Sequence, residues 1–325
     1  MRGLSRLGSH WREVTSVVAL GGLLALGACS SSDGTDDGAG ASGTTGTNAG
    51  GTGGGSATTT MSGGPGSGTG ASGAGGPSCD TPNPPHGGNE FVPGSVTGRV
   101  LDQDGNPAAN IRVQLCGTDI CLVDATAGAD GTVNMNGGDE TAIDPAFKYG
   151  KGGKSFAKFA APMGGPDVAY GDVNVIAMPQ AGVALAAGDI TSNGVTLSLE
   201  ANPDLSFPLE LEDDDRPFRA EVVSLTANPS LNFAAVDPTL NLEMIVATTP
   251  QDTLLCPGAM LSFPNVEQWF DGASVDVFLH GTRTFRHYAP YGEWVEIATA
   301  TVVGDRVVLD APIEVLGVFG ARIGE

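Results

Sequence analysis

Residues 95–116 have the sequence SVTGRVLDQDGNPAANIRVQLC, in which two short alternating runs flank a turn. Alternation with a period of two predicts β-strands that bury one face. Asp, Gly, Asn and Pro between the runs favour a tight connection. The residues expected on the buried faces are Val96, Gly98, Val100, Ile111, Val113 and Leu115. This stretch therefore predicts two strands of a sandwich.

Short β signals of this kind continue to the C-terminus, and hardly any helical period interrupts them. Folded sequence is expected to begin near Val92, and an acidic stretch at 210–217 suggests a break between domains. We expect an all-β protein with two β-sandwich domains, residues 79–212 and 213–325. Further strands are predicted at Val173–Met178, Val195–Leu199, Arg219–Leu225, Leu240–Ala247, Val275–His280, Trp294–Val303, Arg306–Leu309 and Glu314–Phe319.

Several pieces of the first domain follow one another in a recognisable order. They are Gly98-Arg99-Val100-Leu101-Asp102, Gly105-Asn106-Pro107, Val113-Gln114-Leu115, Thr126 and Asp130-Gly131-Thr132-Val133. Together they resemble a carboxypeptidase regulatory-like domain, which implies a transthyretin-like β-sandwich. The resemblance says little about activity, because this domain is an accessory in many unrelated proteins.

The first residues predict an export signal that ends at a lipidated cysteine. A basic segment precedes an apolar run from Val17 to Leu26, which is too short to remain as a membrane span. The run leads into Leu26-Gly27-Ala28-Cys29, which resembles the bacterial lipobox. The resemblance implies removal of residues 1–28 and a lipid on the thiol of Cys29. We therefore expect a lipoprotein held on the lipid bilayer of the bacterial cell envelope, and Ser30 favours the outer membrane.

The segment that begins at the lipidated cysteine, residues 29–78, predicts a disordered tether. It consists almost entirely of Gly, Ser, Thr and Ala. Such a composition cannot bury a core and behaves as a flexible coil. Random-coil scaling gives a reach of roughly 40 Å, which would hold the folded part clear of the lipid.

The charge of the chain limits its partners. The formal net charge is −22, with 15 basic and 37 acidic residues. Nucleic acid is excluded as a partner, because phosphate binding needs clustered cations. The expected partners besides the bilayer are other cell-surface proteins or glycans.

Four cysteines remain beside Cys29, and an even number in an exported protein suggests two disulfides. Three pairings are open. We favour Cys116 with Cys121, which flank a four-residue hairpin loop, and Cys79 with Cys256. The spacing contains no C-x2-C pair, so no metal site is expected.

Every lysine of the chain lies in one short stretch, interleaved with aromatic residues. A cationic patch on an acidic protein could hold an anionic polymer such as an acidic polysaccharide. The alternative is a solvated loop whose cations balance nearby carboxylates. The residues concerned are Lys148, Lys151, Lys154 and Lys158.

Other motifs have plain structural interpretations. The turn at 102–106 is faintly like a calcium loop, but Val113 stands where an EF-hand needs a glutamate. Residues 150–155 end like a phosphate-binding loop, but Lys148 replaces its first glycine. Aromatic and basic residues cluster at 280–294, where we expect Trp294 to fill the core of the second domain and the other residues to form a hairpin tip.

No catalytic signature is present, since the chain lacks both G-x-S-x-G and H-E-x-x-H. We expect no enzyme and no cofactor, and a structural or protein-interaction role at the cell surface. A glycan- or anionic-polymer-binding module is the alternative. A hydrolase with a carboxylate pair is the third possibility, because spacing alone cannot place the many acidic residues.

Overall fold

The protein is known here from a computed structural model. It describes residues 90–117, 120–138, 141–143, 145–151, 155–208, 211–282 and 288–324. The predicted signal peptide and tether, Cys29, Cys79 and Lys154 lie outside these residues. Within the described ranges, no helix has the length and apolar character that a membrane span requires.

The all-β class is confirmed, because the described helices are two single 3₁₀ turns, Asp213–Asp215 and Pro238–Leu240. The strands up to that point are β1 (Ser95–Leu101), β2 (Arg112–Cys116), β3 (Cys121–Thr126), β4 (Thr132–Asn136), β5 (Ala146–Lys151), β6 (Phe159–Pro162), β7 (Val168–Asn174), β8 (Gly188–Ser192), β9 (Val195–Leu199) and β10 (Asp204–Ser206). The later strands are β11 (Arg219–Ser224), β12 (Met244–Thr249), β13 (Leu254–Pro264), β14 (Ser274–His280), β15 (Trp294–Val303), β16 (Arg306–Leu309), β17 (Ile313–Val315) and β18 (Val318–Ile323).

Two small sheets form a sandwich from the N-terminal strands. One has the order β4-β1-β7, in which β1 is parallel to β7, and the other has the order β3-β2-β5-β6. Val96 and Val100 of β1 and Val113 and Leu115 of β2 are fully buried in one shared core. These side chains, which the alternation in residues 95–116 predicts to be buried, therefore lie between two sheets.

The remaining strands form a sheet of eleven described strands. Its order is β11-β12-β18-β14-β15-β16-β13-β9-β8, and β10 and β17 add to β13. The two ends approach each other, since Ala220 N–H donates to Ser192 Oγ (3.1 Å) and Asn193 Nδ2 donates to Glu221 Oε2 (2.8 Å). The sheet is thus nearly closed around a second apolar core.

The boundary expected at residue 213 is crossed by hydrogen-bonded strands. β9 and β10 precede it in the chain, yet both pair antiparallel with β13, which follows it. Ile245 of β12 and Val318 of β18 lie in the core of the N-terminal sandwich. Within the acidic stretch that suggested a break, Asp213–Asp215 form a largely exposed 3₁₀ turn on the surface of one compact unit.

Candidate functional site

Two of the four lysines proposed as a surface patch are buried. Lys148 is 5 % exposed and Lys158 is 8 % exposed. Lys148 lies between buried aromatic residues of β5, with its Nζ 5.8 Å from the centre of the Tyr291 ring. Buried side chains cannot reach a polymer in solution, so the expectation of a four-lysine patch needs this correction. Lys154 and the side chain of Lys151 lie outside the described part of the structure.

Lys158 is instead part of a buried polar seam between the sandwich and the large sheet. Its Nζ forms an ion pair with Oδ2 of Asp252, and the two side chains are 10 % and 9 % exposed. Thr282 Oγ1 donates to the other carboxylate oxygen of Asp252 at 3.0 Å. We call these residues, with Gln251 and His280, the polar seam.

Gln251 fixes the backbone on the lysine side of the seam. Its Nε2 donates to the carbonyl oxygen of Lys158 at 2.9 Å, and the N–H of Lys158 donates back to its Oε1. Asp252 has a positive φ of 62°, a conformation that Asp tolerates better than most residues. The segment before β6 is thereby tied to the loop after β12.

His280 occupies the end of β14 with both ring nitrogens engaged. Its Nε2 accepts a hydrogen bond from the N–H of Ala160 (3.0 Å), and its Nδ1 lies 3.1 Å from the carbonyl oxygen of Glu293. Because an N–H can only donate, Nε2 must be unprotonated and Nδ1 must carry the hydrogen. Burial lowers the pKa of His280 to about 4. At neutral pH this histidine is an uncharged structural group.

Aromatic rings continue from the sandwich core into the seam. Successive ring centres lie 4.7–6.0 Å apart, the separation at which stacked or tilted rings attract. The rings are, in order, Tyr170, Phe147, Tyr149, Phe159, His280 and Trp294. Trp294 also donates from Nε1 to the carbonyl oxygen of Ala235 (2.6 Å). Trp294 is half-buried against the core of the N-terminal sandwich and not in the core of the second domain, where it was expected. The members of the predicted cluster at 283–287 lie outside the described residues.

The large sheet also carries a group of exposed apolar side chains near the end of a loop. Phe270 is 69 % exposed, Val303 is 58 % exposed and Val266 is 40 % exposed. The loop between β13 and β14 lies against the end of β15 and the turn that follows it, since Gly272 N–H donates to Val302 O and Asn265 N–H donates to Asp305 O, both at 2.8 Å. We call Val266, Phe270 and Val303 the Phe270 tip.

The loop that carries Phe270 is held in a fixed shape. Asn265 Nδ2 donates to Trp269 O (2.8 Å), and Trp269 N–H donates to Asn265 Oδ1 (3.0 Å). The indole of Trp269 packs on the core of the sheet and donates to Glu243 Oε2 at 2.6 Å. Phe270 follows directly in the chain and points into solvent from this anchored base.

Carboxylates surround the Phe270 tip. Glu267 accepts a hydrogen bond from Thr226, and Asp271 accepts one from Gly304 N–H at 2.8 Å. Asp305 is exposed in the same turn, where its backbone carbonyl accepts from Asn265 N–H. The neighbouring cation Arg306 donates to oxygens of β9 and β13 and of the connection before β9. An apolar centre with an acidic rim results.

The turn that is faintly like a calcium loop uses its first carboxylate internally. Oδ1 of Asp102 accepts hydrogen bonds from the N–H groups of Asp104 (3.0 Å) and Asn106 (2.8 Å), and Oδ2 accepts one from Asn106 Nδ2. These bonds shape the hairpin turn. Across the described residues, no three His, Cys, Asp or Glu side chains form a group that could hold a metal ion.

The disulfide between Cys116 and Cys121 is confirmed. These residues pair at the end of the β2–β3 hairpin, with Cα atoms 3.9 Å apart. Cys256 is also disulfide-bonded. Its predicted partner, Cys79, lies outside the described residues.

Comparison with known proteins adds no relative to this picture. No protein-family model matches the chain, and no curated protein matches it.

Proposed function

We propose that this protein is a lipid-anchored protein of the bacterial envelope that acts by contact with another protein and not by catalysis. The proposed anchor is a lipid on Cys29, and its support is the sequence Leu26-Gly27-Ala28-Cys29, which resembles a lipobox. The low-complexity segment to residue 78 serves as a tether for the folded part.

The observation that carries the interaction role is the exposure of Phe270 on an anchored loop. A buried Phe side chain is worth roughly 1.5–3 kcal/mol relative to an exposed one, so this residue offers binding energy to a partner. Because Asn265 and Trp269 already hold the loop, little further ordering is needed when a partner docks.

The rim of the tip specifies the chemistry of that partner. The exposed Asp271 and Asp305 favour a surface that carries Lys or Arg around an apolar centre. A second copy of this acidic chain would be repelled, as would an anionic lipid surface. The burial of Lys148 and Lys158 counts against the alternative of an anionic-polymer module.

Anchoring is tested by replacing Cys29 with Ser in the full chain and fractionating the cells. We expect the variant to lose lipid labelling and to leave the membrane fraction, while a Ser30→Ala control stays in it. Labelled, membrane-bound Cys29→Ser protein would overturn the anchor.

Docking at the tip is tested by placing a photo-crosslinking residue at position 270 of the full chain in its own cells. We expect one defined protein to be crosslinked there, and none at position 120, where the exposed Ile120 lies on the sandwich. The crosslinked surface should contain Lys or Arg beside apolar residues, and Asp305→Asn should reduce the yield. Equal crosslinking at both positions, or a partner surface without cations, would refute docking at the tip.

A further inference from the structure

We propose that Lys158 and Asp252 are joined through their side chains by an amide bond, which the folded chain forms by itself with loss of one water molecule. The inference starts from the polar seam, where Nζ of Lys158 contacts Oδ2 of Asp252. It does not depend on the Phe270 tip or on the lipid anchor.

The backbone presents the two groups to each other. Gln251, the residue before Asp252, binds both the N–H and the carbonyl oxygen of Lys158. The amine and the carboxyl therefore start from fixed neighbouring positions. A nitrogen in contact with Oδ2 lies next to Cγ, the atom to which that oxygen is bonded. Holding two reacting groups in this way replaces a bimolecular encounter with an intramolecular one.

The reaction needs both groups in their uncharged forms, and the contact between Nζ and Oδ2 lets one proton pass directly between them. Both side chains are about nine-tenths buried, and desolvation makes a separated ammonium and carboxylate costly. Transfer of one proton from Nζ to the carboxylate gives a neutral amine beside a carboxylic acid. Burial also keeps out the water that would reverse an amide bond by hydrolysis.

The step balances without a co-reactant. Nζ attacks Cγ and forms the new bond, and negative charge develops on Oδ1. The hydroxyl of Thr282 already donates to Oδ1 at 3.0 Å and stabilises that charge. The bond from Cγ to Oδ2 then breaks, and Oδ2 leaves as water with its own proton and one from Nζ. The products are one amide and one water.

The bond would lie across the polar seam. Residues 158 and 252 are separated by 94 positions in the chain. A covalent link between them would join the segment before β6 to the loop after β12. Unlike a disulfide, it would withstand reducing agents.

The test is mass spectrometry on the full chain, reduced and digested after purification in its folded form. We expect one branched peptide that contains both Lys158 and Asp252 and is lighter by one water than the two separate peptides. Fragmentation should place the branch on these two side chains. The variants Lys158→Arg and Asp252→Ala should lack it, and Lys148→Arg, which also changes a buried lysine, should keep it.

The digest of the wild-type protein alone tests for the amide bond, so a variant that fails to fold does not weaken the test. Separate, unlinked peptides for Lys158 and for Asp252 in the folded wild-type protein would overturn the proposal. A branched peptide with another residue in place of either one would overturn it as well.

Discussion

A fall in pH from about 7.5 to about 5 is expected to destabilise the folded protein through His280. Its Nε2 accepts a hydrogen bond from the N–H of Ala160, and a proton on that nitrogen would break the bond. Burial lowers the pKa of His280 to about 4. Before the proposed amide bond forms, the charged groups that act on His280 are Asp252, which favours the protonated form, and Lys158, which opposes it; the amide carries neither charge, so burial is the cause that remains in both forms.

The magnitude follows from linkage between protonation and folding. An unfolded His has a pKa of about 6.5, so between that value and about 4 the unfolded chain binds more protons than the folded one. The stabilisation from a neutral His280 is therefore fully present above about pH 6.5 and is lost as the pH falls towards 4. At about pH 5 the expected loss is about 2 kcal/mol.

The assay is guanidinium unfolding of the wild type and of His280→Gln at the two pH values. The quantity compared is the change in the free energy of unfolding with pH, because the variant also loses packing at every pH. We expect that change to be smaller in the variant by about 2 kcal/mol. An identical pH dependence in the two proteins would refute the assignment of His280 as a buried neutral group.

Three further outcomes are expected from the same unfolding assay. Replacing both Cys116 and Cys121 with Ser should lower the free energy of unfolding by about 2 kcal/mol, because the lost bridge closes a short loop; no change on reduction would contradict this. Gly150→Ala should cost about 2 kcal/mol, since Gly150 has a φ of 82° and an added Cβ would collide with the carbonyl oxygen of Ala157; a neutral effect would mean that this bend is not rigid. Phe270→Ser should change stability by less than about 0.5 kcal/mol, because the ring is exposed, and a larger loss would show that it packs on the sheet.

The fold class could be read from the sequence because alternation is a local signal. Val195–Leu199, Trp294–Val303 and Arg306–Leu309 match the predicted strands residue for residue. β13 was not predicted, because Pro257 and Gly258 interrupt it and carry a turn signal. The strand tolerates them where its register with β17 is irregular. Which strands share a sheet depends on long-range pairing, and no local pattern contains that information.

The candidate sites were harder to predict for the same reason. The lysine stretch was noticed, but its spacing could not show that Lys148 and Lys158 face the interior. No sequence pattern pointed to Asp252, because its partner Lys158 lies 94 positions away in the chain. The exposure of Phe270 was also missed, because an aromatic residue beside Trp269 suggests a core position equally well. Only the packed structure separates the buried ring from the exposed one.

The first and last described strands share one core, and this affects how the chain folds during its synthesis. Val96 of β1 and Val318 of β18 lie in the same apolar cluster. A chain that emerges from its N-terminus therefore cannot complete the core of its first sandwich until β18 has been released. Folding of the two parts is then a single late event, and a chain that lacks β18 leaves the earliest strands with an open core. Strand β18 is thus needed to complete the core that the earliest strands begin.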